Sequence, residues 1–165
     1  MQGCNANASY YAGTKVDLPI ETSINMYSTI QTPDAAVCHL FLYCCFKDGQ
    51  IKEEELDNVA GKFTALNMHK ELNFKEEMIS FRNNQPQISN EEEYLRKLIS
   101  AINPTNEAAL FSYCVELMLS DELLDNSEEQ LLVKIAEILS IDDAERRAIK
   151  KLMVQRKVVS TRKFF

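Results

Sequence analysis

Lys47-Asp48-Gly49-Gln50-Ile51-Lys52-Glu53-Glu54-Glu55-Leu56 lies between two long apolar helical patterns, and its features return 73 positions later. The second occurrence is Ser120-Asp121-Glu122-Leu123-Leu124-Asp125-Asn126-Ser127-Glu128-Glu129. Asp48 falls on Asp121, Ile51 on Leu124 and Glu55 on Glu128. The same offset puts Thr32 on Thr105, Ala35 and Ala36 on Ala108 and Ala109, Val59 on Leu132, and Leu66 on Leu139. Only six positions are identical between residues 32–68 and 105–141, so the repeat rests on matched caps, turn and apolar phase rather than on identity.

Upstream of the first acidic turn, Thr32-Pro33-Asp34 is a helix start: Thr as N-cap, Pro at the first helical position, an acid near the positive end. The helix that follows, Ala35 to Phe46, is apolar on every face. It is too short to cross a membrane and fits a central helix packed all round, stopped at Asp48-Gly49. Downstream, a helix over about Lys52–Leu66 turns Leu56, Val59, Phe63 and Leu66 inward. Asn73 with Glu76, and Ser89 with Glu92, resemble N-terminal capping boxes of two further helices. The first carries Phe74, Met78 and Phe81 on one side, the second Tyr94, Leu95, Leu98 and Ile99.

Thr105 restarts the pattern with a second apolar helix holding Leu110, Phe111, Cys114, Val115, Leu117 and Met118. Asp125 with Glu128 caps the next helix, whose Leu131, Leu132, Ile135, Ile138 and Leu139 face inward. Asp142-Asp143 opens the last, with Ala148, Ile149, Leu152 and Met153 on one side and Arg146, Arg147, Lys150 and Lys151 on the other. No strand-like alternation is present. The expectation is an all-α fold of about seven helices with a duplicated helix-turn-helix unit. Residues 32–157 form the domain, 1–31 an N-terminal arm and 158–165 a basic tail.

Composition agrees. The 165 residues contain four Gly, four Pro and no Trp, and their length suits one domain with a core that needs no staples. Charge is strongly segregated. Residues 1–145 carry all 25 acids against ten Lys/Arg, whereas 146–165 carry eight Lys/Arg and no acid. So acidic a body disfavours nucleic acid, because it repels phosphate. The five Cys, at 4, 38, 44, 45 and 114, have no CxxC or zinc spacing and read as reduced, buried thiols. Without a signal-peptide pattern or a long apolar run, the expected location is cytoplasmic.

The acidic turn looks like the second half of an EF-hand, with Asp48, Gly49, Ile51 and Glu55 in register. Positions 1 and 3 of such a loop would be Cys44 and Phe46, and in the second copy Leu117 and Leu119. Two hard oxygen ligands are missing each time, which argues against a true EF-hand. Nor is there a nucleophile motif around His39 or His69, or a Gly-rich phosphate loop.

An apolar helix, then Asp-Gly-x-(Ile/Leu)-x-x-x-Glu, then an amphipathic helix, all twice, resembles the tellurite-resistance TerB-like domains. The matching segments are Cys38–Met68 and Phe111–Ile141, within residues 33–157. This sequence departs from the pattern at Glu122, where Gly is usual, and at Lys47 and Ser120, where a small Ala is common. The resemblance implies a non-enzymatic helical adaptor of stress or metal-resistance systems, partnered by another protein. It also implies a divalent cation as candidate ligand, held by Asp48, Glu55, Asp121 and Glu128.

Two bland readings stand beside these. Glu55 and Glu128 suit helix capping, since a first-turn carboxylate binds free N–H groups. The basic helix, with Arg146, Arg147, Lys150 and Lys151, reads as a solvated face, or else as a docking site for an acidic protein or an anionic membrane surface.

Overall fold

The computed structural model describes residues 30–46, 51–119 and 124–161. Within them the chain forms seven α-helices and no strand. They are α1 (Pro33–Cys45), α2 (Glu53–Ala65), α3 (Phe74–Asn84), α4 (Glu91–Ile102), α5 (Glu107–Met118), α6 (Asn126–Ile138) and α7 (Asp143–Thr161). Short 3-10 turns at Met68–Lys70 and Gln85–Gln87 lead into and out of α3. The arm at 1–29, both Asp48-Gly49 and Asp121-Glu122, and the end of the tail lie outside the described residues.

The all-α architecture expected from the sequence is present. Helix α1 is the hub and packs against α2, α3, α4 and α5. Its start is the expected one: Thr32 Oγ1 accepts the Ala35 N–H at 3.1 Å, and Pro33 follows. Cys38, Leu40, Phe41, Leu42 and Cys44 are all buried, which a helix with neighbours on every side requires. Phe81 of α3 joins α1 to the rest by edge-on contacts with His39, Tyr43 and Phe46. Across the hub, Phe111, Cys114 and Val115 of α5 and Leu131, Leu132 and Ile135 of α6 complete one continuous core.

Polar links tie the outer helices to this core. Tyr43 donates its hydroxyl to Glu91 Oε1 at 2.9 Å, and Lys134 of α6 pairs with the other oxygen of the same carboxylate. One group thus holds α1, α4 and α6 together. Lys62 of α2 pairs with Glu116 of α5 at 2.7 Å and lies over the Tyr113 ring.

Helices α2 and α6 correspond closely. Each ends on a Leu C-cap followed by a left-handed residue, Asn67 (φ 61°) and Ser140 (φ 58°). In both, that turn redirects the chain so that Met68 and Ile141 re-enter the core. For α2 this corrects one expectation: Leu66, foreseen as inward, is 38% exposed, and Met68 fills its place. The C-cap carries the Leu66 side chain away before the reversal at Asn67 brings the chain back.

Three caps sit differently from the sequence reading. The N-cap of α4 is Asn90, accepting from Glu93 N–H at 3.1 Å, not Ser89. That of α5 is Asn106, accepting from Ala109 N–H at 2.8 Å, not Thr105. In both places Asn, an equally good cap, stands one residue nearer the apolar run. At α3, Asn73 caps by accepting from Lys75 N–H at 3.1 Å, but Glu76 bonds the Asn73 side chain, so the reciprocal box is not formed.

Helix α7 also departs from expectation. It is continuous through Thr161, past the residue where a tail was foreseen. Its inward side carries Met153, with Ile149, Arg146 and Lys150 half-buried, while Ala148 and Leu152 face solvent. Lys150 reaches across to Glu129 of α6, whereas Arg146 pairs with the exposed Asp143 of its own helix.

Candidate functional site

Of the four acidic-turn candidates, Asp48 and Asp121 lie outside the described residues. Glu55 and Glu128 are placed at equivalent points. Each is the third residue of its helix, and each turns its Oε2 back to the N-cap backbone. Glu55 accepts the Lys52 N–H at 2.7 Å, and Glu128 accepts the Asp125 N–H at 2.8 Å. At α6 the box is complete, because Asp125 Oδ1 accepts the Glu128 N–H at 2.8 Å. At α2 only the Glu55 half exists, since the Lys52 side chain has no acceptor. Glu55 is only 8% exposed.

Both carboxylates also act on one group. Cys45, at the end of α1, has its thiol pushed up to about 12, first by burial, then by Glu55, Cys114 and Glu128. Among the described residues, no set of three or more His, Cys, Asp or Glu side chains is arranged to hold a metal ion.

Cys38, like Cys45, is pushed up to about 12, mainly by burial, and so stays protonated at neutral pH. Cys38, Cys44, Cys45 and Cys114 are all buried and unpaired with one another, as expected from their spacing.

A polar cluster that the sequence reading passed over sits beside Cys38. His39 is fully buried in α1, with Nε2 facing Glu77 Oε2 of α3 at 3.3 Å and Nδ1 3.5 Å from the Tyr94 hydroxyl of α4. Neither His39 Nε2 nor Glu77 Oε2 makes a well-directed hydrogen bond. Burial holds the imidazole down at about 4, so it is uncharged at neutral pH and the contact is not an ion pair, and burial also raises the Glu77 carboxyl. The sequence did contain a clue: a histidine inside an otherwise apolar helix demands a polar partner from elsewhere.

Three of the four basic docking candidates are engaged within the chain. Arg146 and Arg147 both pair with Asp143, and Lys150 pairs with Glu129. The hydrogen bond from Arg146, with help from Arg147, lowers Asp143 from its ordinary carboxylate value. Lys151 alone of the four has no carboxylate partner among the described residues.

Beyond them, α7 and the end of α5 enclose a half-open groove of about 490 Å³. Leu119 and Met153 form its floor, and Leu152 and Val159 its walls. Leu152 is 53% exposed and Val159 60%, and Val158 is exposed beside them. Gln155, Arg156 and Lys157 lie along the rim, together with Glu116 of α5, which is held by Lys62 of α2. The sequence did not reveal this groove, because assigning Leu152 to the packed side of α7 hid the apolar surplus on that helix.

No helix among the described residues is long and apolar enough to cross a membrane. No curated protein and no solved structure matches the chain. The family model described as tellurite resistance protein TerB matches residues 34–151, the span from the first turn of α1 to the middle of α7. With its seven helices and its cap-matched α2 and α6 within that span, the chain belongs to the TerB family.

Proposed function

We propose that the chain is a non-enzymatic interaction module, serving as an adaptor in stress or tellurite resistance by docking another protein. The groove between α5 and α7 carries this reading. Large apolar side chains exposed around a concavity mark a docking surface. The chemistry elsewhere favours a non-catalytic role. The described thiols are buried, and the His39 cluster is sealed under α3 and α4. The paired cap geometry of α2 and α6 supports reading the two helical hairpins as copies of one unit.

A second reading, binding of a divalent cation by the acidic turns, is favoured by one observation: Glu55 and Glu128 both act on Cys45. Hard cations need several converging oxygens, and Asp48 and Asp121 would have to supply the remainder.

One tolerance assay separates the two readings. Cells lacking the endogenous gene are complemented with the wild type, with Leu152→Glu/Val159→Glu, or with Glu55→Gln/Glu128→Gln, and challenged with tellurite. The adaptor reading expects tolerance to fall to the level of the empty vector with the groove pair and to persist with the turn pair. Gln at both positions can still accept the N-cap N–H through its amide oxygen, so the turn pair removes charge while keeping the cap, and soluble protein levels are measured alongside. Tolerance lost only with the turn pair at normal protein levels would favour the cation reading, and tolerance unaffected by the groove pair would refute the adaptor.

A further inference from the structure

We propose that the groove between α5 and α7 receives an acidic amphipathic helix, presenting apolar anchors to Leu119, Leu152, Met153 and Val159 and carboxylates to Arg156. The inference rests on the docking reading and adds to it the chemistry of the partner.

Shape is the first argument. The stretch of α7 from Leu152 to Ser160 that borders the groove is about 12 Å long at the rise of an α-helix. A half-open trough of that length leaves a small ligand largely wet, whereas sites for small molecules bury most of their ligand. A partner helix fits differently: its anchors at i, i+4 and i+7 enter the trough while its polar face stays in water. A flat bilayer cannot reach Leu119 and Met153, which form the buried floor.

Charge is the second argument, and it is independent of shape. Residues 146–165 bear only positive charge. Arg146 and Arg147 share Asp143, and Lys150 pairs with Glu129, so each of the three already has a carboxylate of this chain. Arg156, on the groove rim, is exposed and has no carboxylate partner among the described residues. With Glu116 already held by Lys62, an apolar trough beside a guanidinium that has no carboxylate partner among the described residues complements a segment carrying Leu or aromatic anchors with Asp or Glu next to them. A second copy docking α7 on α7 would set these basic rims against each other. An anionic membrane would meet the repulsion of the acidic body.

The test is selection from a displayed library of helix-forming peptides of about five turns, randomised in both anchor and flanking positions and sorted against the full chain. The enriched pool is expected to be net acidic, with apolar residues at helical spacing. Its peptides should bind Leu152→Glu/Val159→Glu at least about tenfold more weakly. They should also weaken with salt, and Arg156→Glu should shift a fresh selection toward Lys and Arg. Circular dichroism and the unfolding midpoint should be unchanged, since the substituted side chains are exposed.

An enriched pool that is neutral or basic, yet still lost with the Leu152/Val159 pair, would overturn the acidic partner while leaving the docking reading intact. A pool that binds the double variant as tightly as the wild type would overturn both. Binding of phosphatidylserine vesicles abolished by the same pair would overturn the inference in favour of a membrane. Self-association abolished by that pair in sedimentation would do so in favour of a second copy, and protection of the groove by residues 1–29, lost on their removal, in favour of the chain's own arm.

Discussion

Phe81→Ala is expected to lower the unfolding free energy by about 3–5 kcal/mol, the usual range for removing a fully buried aromatic ring. Phe81 is fully buried and meets His39, Tyr43 and Phe46 edge-on, three residues spread along two turns of the hub helix. Truncation removes its contact area and leaves a cavity between α1 and α3. It also removes the ring edges that the quadrupoles of its neighbours favour. Phe81→Leu keeps most of the volume and should cost less than about 1.5–2 kcal/mol. Chemical denaturation read by circular dichroism measures both. Equal losses for Ala and Leu would show that Phe81 does not fill the junction between α1 and α3.

The second large effect depends on pH. Burial depresses the His39 imidazole from 6.5 to about 4. The unfolded chain therefore takes up this proton at a higher pH than the folded one. For a base depressed in this way, the contribution is intact above the unfolded value of 6.5. It declines as pH falls through that value, and levels off only below about 4. Linkage puts the loss at about 2 kcal/mol between pH 8 and pH 5.

Glu77 works in the opposite sense. Burial raises its carboxyl, so the folded state binds this proton more tightly than the unfolded chain, and the contribution is largest in acid and is lost as pH rises through its folded value. Cys38 stays protonated throughout this range. Unfolding curves collected from pH 5 to 8 for the wild type, His39→Gln and Glu77→Gln separate these contributions. Between pH 8 and pH 5 the wild type should lose about 2 kcal/mol more stability than His39→Gln, which lacks that component. Equal slopes in the wild type and His39→Gln would mean that the imidazole takes up its proton freely in the folded state.

The fold was legible because local chemistry and global packing agree along most of the chain. Thr32-Pro33-Asp34 caps α1 as read, Asp125 and Glu128 form their box, and the residues assigned inside α4 and α5 are buried. Errors came where two good caps were adjacent, as at Ser89-Asn90 and Thr105-Asn106. Spacing alone cannot choose between neighbours that both offer a side-chain acceptor.

The candidate site was less legible. The equivalence of Glu55 and Glu128 could be read from the 73-residue offset, and their capping bonds follow from it. Two features depend on helices distant in sequence. His39 meets Glu77 and Tyr94 only after α3 and α4 fold onto α1. The groove exists because α7 turns Met153 rather than Leu152 toward α5. A helix with apolar residues on more than one face does not announce which face is packed. Here the pairing of Lys150 with Glu129 of α6 accompanies the choice.

The central claim is that this chain acts by docking a protein at the α5–α7 groove. The most direct measurement places a photo-cross-linking benzoylphenylalanine at Val159, or as a control at the comparably exposed Ile79 of α3, and irradiates living cells. The account predicts one discrete protein adduct at position 159, absent at 79 and absent when Leu152→Glu is added. No adduct at 159, or the same adducts at both positions regardless of Leu152, would contradict it.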